Sequence, residues 1–258
     1  MQVIKESGHY YEQGGAPAYT VPYADKKKGM RNTTIRDARK LDLVPSVTTI
    51  LNVLPKPALV NWKQEQLFYA ALTLTREEKE SDQAFYYRVV ADSKEQARKA
   101  AEKGIAIHGA IQKSILAAGR PIDTVYGPHI DAVMNWLTKE FGKTQWISER
   151  TFAHPLGFGG AVDLHSPQVI IDFKTKEFDQ SDIDNNKIKG WPEQGIQLAA
   201  YREGVGHPKA QRINLFISRN NPGLIHAFYW PEKDNHFETF KAALQLWKLI
   251  KNYDSAFE

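Results

Sequence analysis

Two aspartates and a lysine have the residue types and spacing that suggest chemistry in this chain. Asp163 and Asp172 lie on either side of a turn signal at Ser166-Pro167-Gln168, and Lys174 follows the second aspartate by two positions. In a hairpin centred just after Pro167, residues equidistant from that centre face each other, so Asp163 would face Asp172. Strand alternation then places Asp172 and Lys174 on the same face of the sheet.

Two carboxylates that lie close together repel each other unless a positive charge separates them. A divalent cation with oxygen ligands, Mg²⁺ or Mn²⁺, supplies that charge. Such a metal acts as a Lewis acid and lowers the pKa of a bound water, while a neighbouring lysine orients the water or stabilises negative charge at phosphorus. The set suits phosphodiester hydrolysis. The alternative for an Asp-x-Lys triplet alone is an exposed hairpin with a salt bridge, which the triplet by itself would favour.

The composition limits the class of protein. The chain has 258 residues, 42% of them hydrophobic and 25% charged, which is ordinary for a soluble globular protein. It contains no cysteine, which excludes disulfides, thiolate zinc sites and iron–sulfur clusters. The formal net charge of +4 fits a polyanionic partner without demonstrating one. No Walker A sequence is present, so we expect no ATP cofactor.

The chain also lacks the signals that would send it to a membrane. Its first residues contain no apolar signal region, and no apolar run approaches the roughly 20 residues that span a bilayer. We therefore expect a cytoplasmic protein with no membrane partner.

The periodicity predicts an α/β fold for one domain, residues 1–258. Residues 1–143 form an N-terminal hairpin and helical part, and residues 144–258 form a core with a central mixed sheet of about five strands flanked by helices. The predicted strands span 145–152, 158–164, 168–174, 211–217 and 224–230. The predicted helices include one opened at 45–51, one carrying Trp62, and others at 76–91, 93–119, 128–142, 192–204 and 235–252.

The first 43 residues and one later segment are predicted to be less regular. Residues 8–23 read as a short hairpin, and residues 24–43 as an exposed basic loop whose Lys26, Lys27, Lys28 and Arg31 are solvated in preference to contacting DNA. The polar segment 178–191 is predicted to be a mobile loop at the rim of a DNA channel.

Further motifs accompany the aspartates. Gly160 stands three residues before Asp163, and Gln197 and Tyr201 are four apart, so they share one face of a helix. His108 lies on a long helix, and Glu149 lies on the first strand of the core. Each motif is weak separately, but together they form an ordered set.

This ordered set resembles the RecB-like branch of the PD-(D/E)XK nuclease superfamily, which has a restriction-endonuclease-like core. Residues 45–51 and Trp62-Lys63 are also similar to the mitochondrial genome maintenance exonuclease and its phage relatives, so the resemblance covers roughly residues 44–230. Val162 stands where the superfamily's name has proline, and the lack of cysteine removes the iron–sulfur cluster of some relatives.

The resemblance implies a role for each matching residue. Asp163 and Asp172 would bind Mg²⁺ or Mn²⁺, with His108 as a further metal ligand or a phosphate contact. Lys174 would position or activate the attacking water. Gln197 and Tyr201 would hold the DNA backbone or Lys174 near the site, and Glu149 would support it from the first strand. Gln194, Trp62 and Lys63 are further candidates for DNA contacts, and Lys176 is either a phosphate contact or a solvated lysine.

The implied function is a metal-dependent DNA exonuclease acting on single-stranded ends in recombination, repair or replication, in the cytoplasm of a prokaryotic or phage-infected host cell. A recombinase, helicase or single-strand-binding protein is a candidate partner. The alternatives are a duplex-specific exonuclease, a structure-specific endonuclease, a DNA-binding module with an inactive nuclease fold, and a subunit that needs a partner. Trp62, Trp191 and the N-terminal tyrosines could stack on unpaired bases, although core packing or a structural hairpin is the preferred interpretation for most of them.

Overall fold

A computed structural model describes residues 8–25, 29–117 and 125–258 of the chain. The strands of these residues form two small pairs and one five-stranded sheet. The small pairs are β1 (Tyr10–Tyr11) with β4 (Val44–Pro45) and β2 (Thr20–Pro22) with β3 (Met30–Asn32). The large sheet contains β5 (Ile147–His154), β6 (Phe158–Ser166), β7 (Val169–Lys176), β8 (Gln211–Ser218) and β9 (Ile225–Tyr229), in that order.

The helices of the same residues surround that sheet. They are α1 (Ile35–Leu41), α2 (Val47–Ile50), α3 (Pro57–Thr73), α4 (Asp82–Leu116), α5 (Gly127–Phe141), α6 (Gln180–Asp184), α7 (Pro192–Gly204) and α8 (His236–Lys251), with a short 3-10 helix at Leu51–Val53. Within the described ranges, no helix combines the length and the apolar character that crossing a membrane requires.

The large sheet is mixed, as the sequence predicts. β7 and β8 run parallel, whereas the other neighbouring strands are antiparallel. In the β6–β7 hairpin, Leu164 faces Ile171 and Ser166 faces Val169, so the predicted register is confirmed. The α/β class and the five strands are therefore confirmed, and strand and helix bounds from residue 128 onward agree with the prediction to within about three residues.

Hydrophobic cores cover both faces of the sheet. On one face, α4 and α5 contribute Ile107, Ile111 and Val133 to a cluster that also contains Ile171. On the other face, α2, α7 and α8 contribute residues to a second cluster that contains Ile170 of the same strand. Because consecutive residues of β7 are buried on opposite faces, this strand is rigidly held from both sides.

The N-terminal helical part differs from the prediction in its long helix. α4 is continuous over 35 residues, whereas two helices divided at Ser93 were predicted. The helix is capped at Ser81, and the Ser93 hydroxyl instead donates to the Val90 carbonyl at 3.0 Å, a bond that a helix interior permits. The second half of the helix buries one face only, since Ile105 is 72% exposed while Ile107 is fully buried.

The first 43 residues are more ordered than predicted. The predicted hairpin is present around the turn between residues 12 and 16, since Tyr11 pairs antiparallel with Pro17 and the Ala18 N–H donates to the Tyr10 carbonyl at 2.8 Å. In addition, β1 pairs with β4 and β2 with β3. Helix α1 occupies the predicted exposed loop, because Thr34 and Asp37 form a capping box. Arg31 donates two hydrogen bonds to Asp37 at 2.6 and 2.7 Å. Lys26, Lys27 and Lys28 lie outside the described residues.

The segment predicted to be a mobile loop, residues 178–191, has its own structure. It contains helix α6, which Asp179 caps, and two buried side chains, Phe178 and Ile188, which pack with Phe216 of β8. The segment is therefore a loop with one short helix, and its apolar anchors attach it to the sheet.

Candidate active site

Asp172 is the centre of a hydrogen-bonded cluster on β7. Its side chain is buried, with 3% of the residue exposed, and three side chains donate to it. The Lys174 ammonium lies 2.9 Å from Oδ1 and 2.6 Å from Oδ2. Gln197 Nε2 donates to Oδ1 at 3.2 Å, and Asn214 Nδ2 donates to Oδ2 at 2.7 Å. A carboxylate with this many donors is fixed in position.

Asp163 lies where the alternation of β6 is interrupted. Val162 belongs to the core beneath α7 and Leu164 to the core beneath α4 and α5, although alternation would place them on the same face. The β5–β6 ladder pairs Ser148 with Leu164 and then resumes beyond Asp163, leaving Glu149 without a ladder partner. Glu149 has a φ of 53°, in the left-handed region that non-glycine residues seldom adopt. The irregularity releases Asp163 from the ladder.

The Asp163 side chain replaces the missing ladder contact with β7. Its Oδ2 accepts a hydrogen bond from the Phe173 backbone N–H at 2.8 Å, and its carbonyl accepts one from Ser148 Oγ at 3.0 Å. The β6–β7 ladder ends at the pair Leu164 and Ile171, so Asp163 and Asp172 are not a regular cross-strand pair. The predicted convergence is present, but Asp163 reaches it by bonding to the backbone next to Asp172.

The two carboxylates and the ammonium influence one another. Burial, followed by the negative charge of Asp172, raises the pKa of Asp163 to about 8. Burial alone would lower the pKa of Lys174, but Asp172 and Asp163 outweigh it and raise that pKa. Lys174 is therefore a cation at neutral pH, which suits charge stabilisation and water orientation better than general-base chemistry.

His108 reaches the same point from α4. Its Nδ1 lies 3.9 Å from Asp163 Oδ2, and its ring contacts the edge of Phe173 at a centroid distance of 5.8 Å. Partial burial lowers the pKa of His108, which favours the neutral imidazole that binds metals. Gly104, one turn earlier, allows this approach, because a Cβ there would lie 2.5 Å from Thr175 Oγ1. Gly109, next to His108 in the chain, faces open space, so the close approach is at Gly104.

Gln197 and Tyr201 reach the site from the same face of α7, as predicted. Gln197 Nε2 lies 2.9 Å from the Tyr201 hydroxyl as well as 3.2 Å from Asp172. Gly160 makes room for this tyrosine, since a Cβ at that position would lie 2.8 Å from the Tyr201 ring. The spacing between Gly160 and Asp163 therefore has a steric cause: the glycine admits the tyrosine ring, and the aspartate supplies the carboxylate.

Asn214 is a site residue that the sequence reasoning missed. It is fully buried on β8, beside Asp172 in the parallel register, and its Oδ1 accepts a hydrogen bond from Trp230 Nε1 at 2.7 Å. Both ends of its amide are therefore occupied, which fixes the orientation of its Nδ2 toward Asp172. The available signal was one amide inside an apolar strand, but only the register of two parallel strands places it beside the aspartate.

Of the residues expected to contact DNA, all but Lys63 line one groove. Lys174, Lys176, Gln194 and Trp62 line one groove of about 550 Å³ beside the site, together with Trp191, whereas Lys63 is exposed on α3 and does not line it. Gln194 has a further role, since its Oε1 accepts the Trp191 backbone N–H at 3.0 Å and so closes the start of α7. We call this feature the tryptophan groove.

The donor set fits a hard divalent cation. Within the described residues, no three His, Asp or Glu side chains are grouped as a preformed metal site. Two carboxylates nevertheless meet the need of Mg²⁺, which typically takes one or two and completes its shell with water and phosphate. The raised pKa of Asp163 shows that this carboxyl lacks a sufficient counter-charge, which a cation would supply.

Comparisons with known proteins leave the family open. No family profile matches the sequence, and no curated protein matches it. Among the solved structures to which the fold is similar is one described as "Crystal structure of SSO0001", which is 14% identical, covers 76% of this chain and 88% of its own, and has a TM-score of 0.34. A likeness of that degree supports no conclusion about fold or function.

Proposed function

We propose that the protein is a metal-dependent nuclease that hydrolyses DNA phosphodiester bonds, as its resemblance to the PD-(D/E)XK superfamily implies. The observation that carries the proposal is the cluster of Asp163, Asp172 and Lys174 on the neighbouring strands β6 and β7. A protein that only bound DNA would gain nothing from holding two carboxylates against each other, whereas metal-assisted hydrolysis requires it.

Asp163 and Asp172 would hold Mg²⁺ or Mn²⁺, with His108 as a third ligand or a phosphate contact. When bound, the metal supplies a Lewis acid and a water of lowered pKa. The chain's own residues do the rest. Lys174, a cation beside Asp172, orients the water or stabilises negative charge at the phosphate. Gln197 and Asn214 hold Asp172, and through it Lys174, in one position, while the Tyr201 hydroxyl accepts a hydrogen bond from Gln197.

The substrate we propose is the end of single-stranded DNA, in recombination, repair or replication, with a recombinase, helicase or single-strand-binding protein as a candidate partner. The preference for exonuclease activity rests on the resemblance. The tryptophan groove supports a single-stranded substrate, because a groove that joins aromatic and basic side chains next to Lys174 suits an unpaired strand.

The experiment is a nuclease assay on end-labelled linear single-stranded DNA and on a circular single-stranded control, with Mg²⁺, Mn²⁺ or EDTA. Asp172→Asn and Lys174→Met are compared with the wild type. The matched control is Asp131→Asn, which removes a carboxylate from an exposed position of α5. Circular dichroism confirms that each variant folds.

We expect metal-dependent degradation of the linear strand that the two site variants lose and the Asp131 variant keeps. Loss of a group that positions or activates the nucleophile typically costs 10²-fold or more in rate, so a decrease of roughly that size is predicted. Cleavage of the circular strand, which has no ends, would support metal-dependent hydrolysis by an endonuclease and would contradict the exonuclease assignment. Inactivity of the wild type with every metal, or equal activity of the folded site variants, would refute the proposal.

A further inference from the structure

The tryptophan groove lies between α3 and the β7 end of the site. It is lined by Trp62 of α3, by Trp191 at the start of α7, and by Lys174 and Lys176 of β7. Trp191 is 38% exposed, and Trp62 is partly exposed. The core-packing interpretation preferred from the sequence therefore does not describe these two residues, whereas Tyr10 and Tyr11 are buried as that interpretation expects.

Trp191 is held in place by the packing of its neighbours. The Cα of Gly190 lies so close to the Trp230 ring that a Cβ would collide with it, and a Cβ at Gly195 would lie 2.7 Å from the same ring. Gln194 binds the backbone N–H of Trp191 at 3.0 Å. An aromatic face that is exposed while its backbone is fixed loses little entropy when a ligand stacks on it.

The charge of the groove favours an anion. Four basic side chains line it, Lys174, Lys176, Lys189 and Arg219, against two acidic ones, Glu65 and Glu177. Arg219 Nη2 forms an ion pair with Glu177 Oε1 at 3.5 Å, and Lys176 Nζ lies 5.9 Å from the centroid of the Phe216 ring. The excess of positive charge among aromatic faces is the combination with which proteins track the backbone of a single strand while its bases stack.

A second recess extends the groove along α3. Asn61 and Glu65 line both, and Phe68 and Tyr69 line the second recess alone. Both of these rings are exposed, and they contact each other edge to face at 6.2 Å. Aromatic side chains therefore continue along α3 away from Lys174, in one direction from the site.

We propose that the tryptophan groove binds unpaired nucleotides, with bases stacked on Trp62 and Trp191 and phosphates contacted by Lys176 and Lys189, so that one phosphodiester lies at Lys174. The placement at Lys174 rests on the proposed nuclease function, whereas the binding of unpaired bases does not. Base stacking depends on no particular sequence, because each base has an aromatic face. The groove would therefore select single strands over duplexes, whose bases are already stacked on one another.

The test measures binding without cleavage, by fluorescence anisotropy in EDTA. The probes are a labelled oligothymidylate of about ten nucleotides and an abasic strand of the same length and charge. Trp62→Ala, Trp191→Ala and the double variant are compared with the double Phe variant, which keeps aromatic faces. The control is Tyr229→Ala, which removes an aromatic ring that is 44% exposed and whose hydroxyl bonds to Glu140 of α5.

We expect each alanine variant to weaken binding of the oligothymidylate roughly 5- to 150-fold, which is the range for loss of one stacked base. The wild type should bind the abasic strand less tightly than the oligothymidylate, and the double alanine variant should bind both alike. The Phe variant should retain most of the preference, and Tyr229→Ala all of it. If the double variant fails to fold, the two single variants decide.

The inference is overturned if the wild type binds neither strand, if it binds the abasic strand equally well, or if folded alanine variants keep the preference for bases. These outcomes are distinct from failure of the proposed function. A chain that prefers bases through its tryptophans but cleaves no DNA would refute the nuclease and leave the groove assigned. A chain that cleaves DNA and whose tryptophan variants bind the strands with unchanged affinity would support the nuclease and refute the assignment of the groove.

Discussion

Replacing Asp163 by asparagine should make the metal-free protein more stable while abolishing its activity. Asparagine has nearly the shape of the protonated aspartate, and its Oδ1 can still accept the Phe173 backbone N–H that Asp163 accepts at 2.8 Å. What the substitution removes is a carboxyl group whose ionisation is opposed by burial and by Asp172. The stability cost of that group should therefore disappear, while the packing around it is retained.

The magnitude follows from the pKa of Asp163, which is raised from 3.8 to about 8 on folding. Above about pH 4 the unfolded chain releases this proton and the folded chain keeps it, so raising the pH favours unfolding until about pH 8. Each pH unit in that window costs about 1.4 kcal/mol, which sets an upper bound of about 5 kcal/mol at about pH 7.5. Because 19% of the side chain remains exposed, we expect a smaller gain of about 2–3 kcal/mol for Asp163→Asn.

The assay is urea unfolding in EDTA at several pH values from about 5 to 8, for the wild type, Asp163→Asn and the exposed control Asp131→Asn. The difference between the variant and the wild type isolates residue 163, because all other titrating groups are common to both. A difference that increases with pH is the expected result. Adding Mg²⁺ should stabilise the wild type, by about 2.7 kcal/mol at a hundred times the dissociation constant, and should stabilise Asp163→Asn less.

Two results would refute this reasoning. If Asp163→Asn is no more stable than the wild type at about pH 7.5, the carboxylate is not held against an uncompensated charge. If the stability difference is independent of pH, the gain comes from packing and not from ionisation. The control variant should show neither a gain nor a pH dependence.

Three further predictions concern neighbouring residues. Asn214→Leu should lower the free energy of unfolding by about 1–3 kcal/mol in urea titrations, because it leaves Asp172 without its buried donor, and DNA cleavage should fall; equal stability would contradict the assigned hydrogen bond. Gly160→Ala should displace the Tyr201 ring, with a loss of about 1–3 kcal/mol and slower cleavage in kinetic assays, whereas unchanged kcat and stability would show that the ring yields freely. Burial lowers the pKa of His165 from 6.5 to about 4, so the folded chain takes up this proton at lower pH than the unfolded chain. The free energy of unfolding should therefore fall by about 2 kcal/mol between about pH 7.5 and 5. His165→Phe should remove this pH dependence of stability.

The core of the fold was predictable because its periodicities are strong. The β6–β7 hairpin register followed from the turn at Ser166–Gln168 and from alternation, and helix α7 began at Pro192 where proline is favoured. In the N-terminal half, local cap signals competed. Ser93 resembles a cap but lies inside α4, whereas the cap at Thr34 and Asp37 was overlooked and produced helix α1. Tertiary packing, which the sequence does not reveal, decided between these signals.

The site was predictable as a set of residues but not as a geometry. The spacing of Asp163, Asp172 and Lys174 placed them together, and the structure brings Gln197 to the same carboxylate. The way in which Asp163 reaches that point depends on the break in β6 alternation opposite Glu149, which no pattern in the sequence announces. Asn214 was missed for a related reason, since its position beside Asp172 arises from pairing of strands about forty residues apart.

The long helix α4 connects the sheet that carries the site with α3. Its second half is fixed against the sheet, with Gly104 pressed on Thr175, while its first half, from Asp82 onward, carries α3 and therefore one wall of the tryptophan groove. The stretch from Asp82 to Gly104 is about 33 Å long at 1.5 Å per residue, so a tilt of only about 5° at Gly104 moves its far end by about 3 Å. The residues of α3 that line the groove, from Ala58 to Glu65, belong to the end of α3 away from Asp82, so the same tilt moves the groove wall by only part of that distance. A rotation of α4 would therefore displace the turn between α3 and α4 most and the carboxylates least.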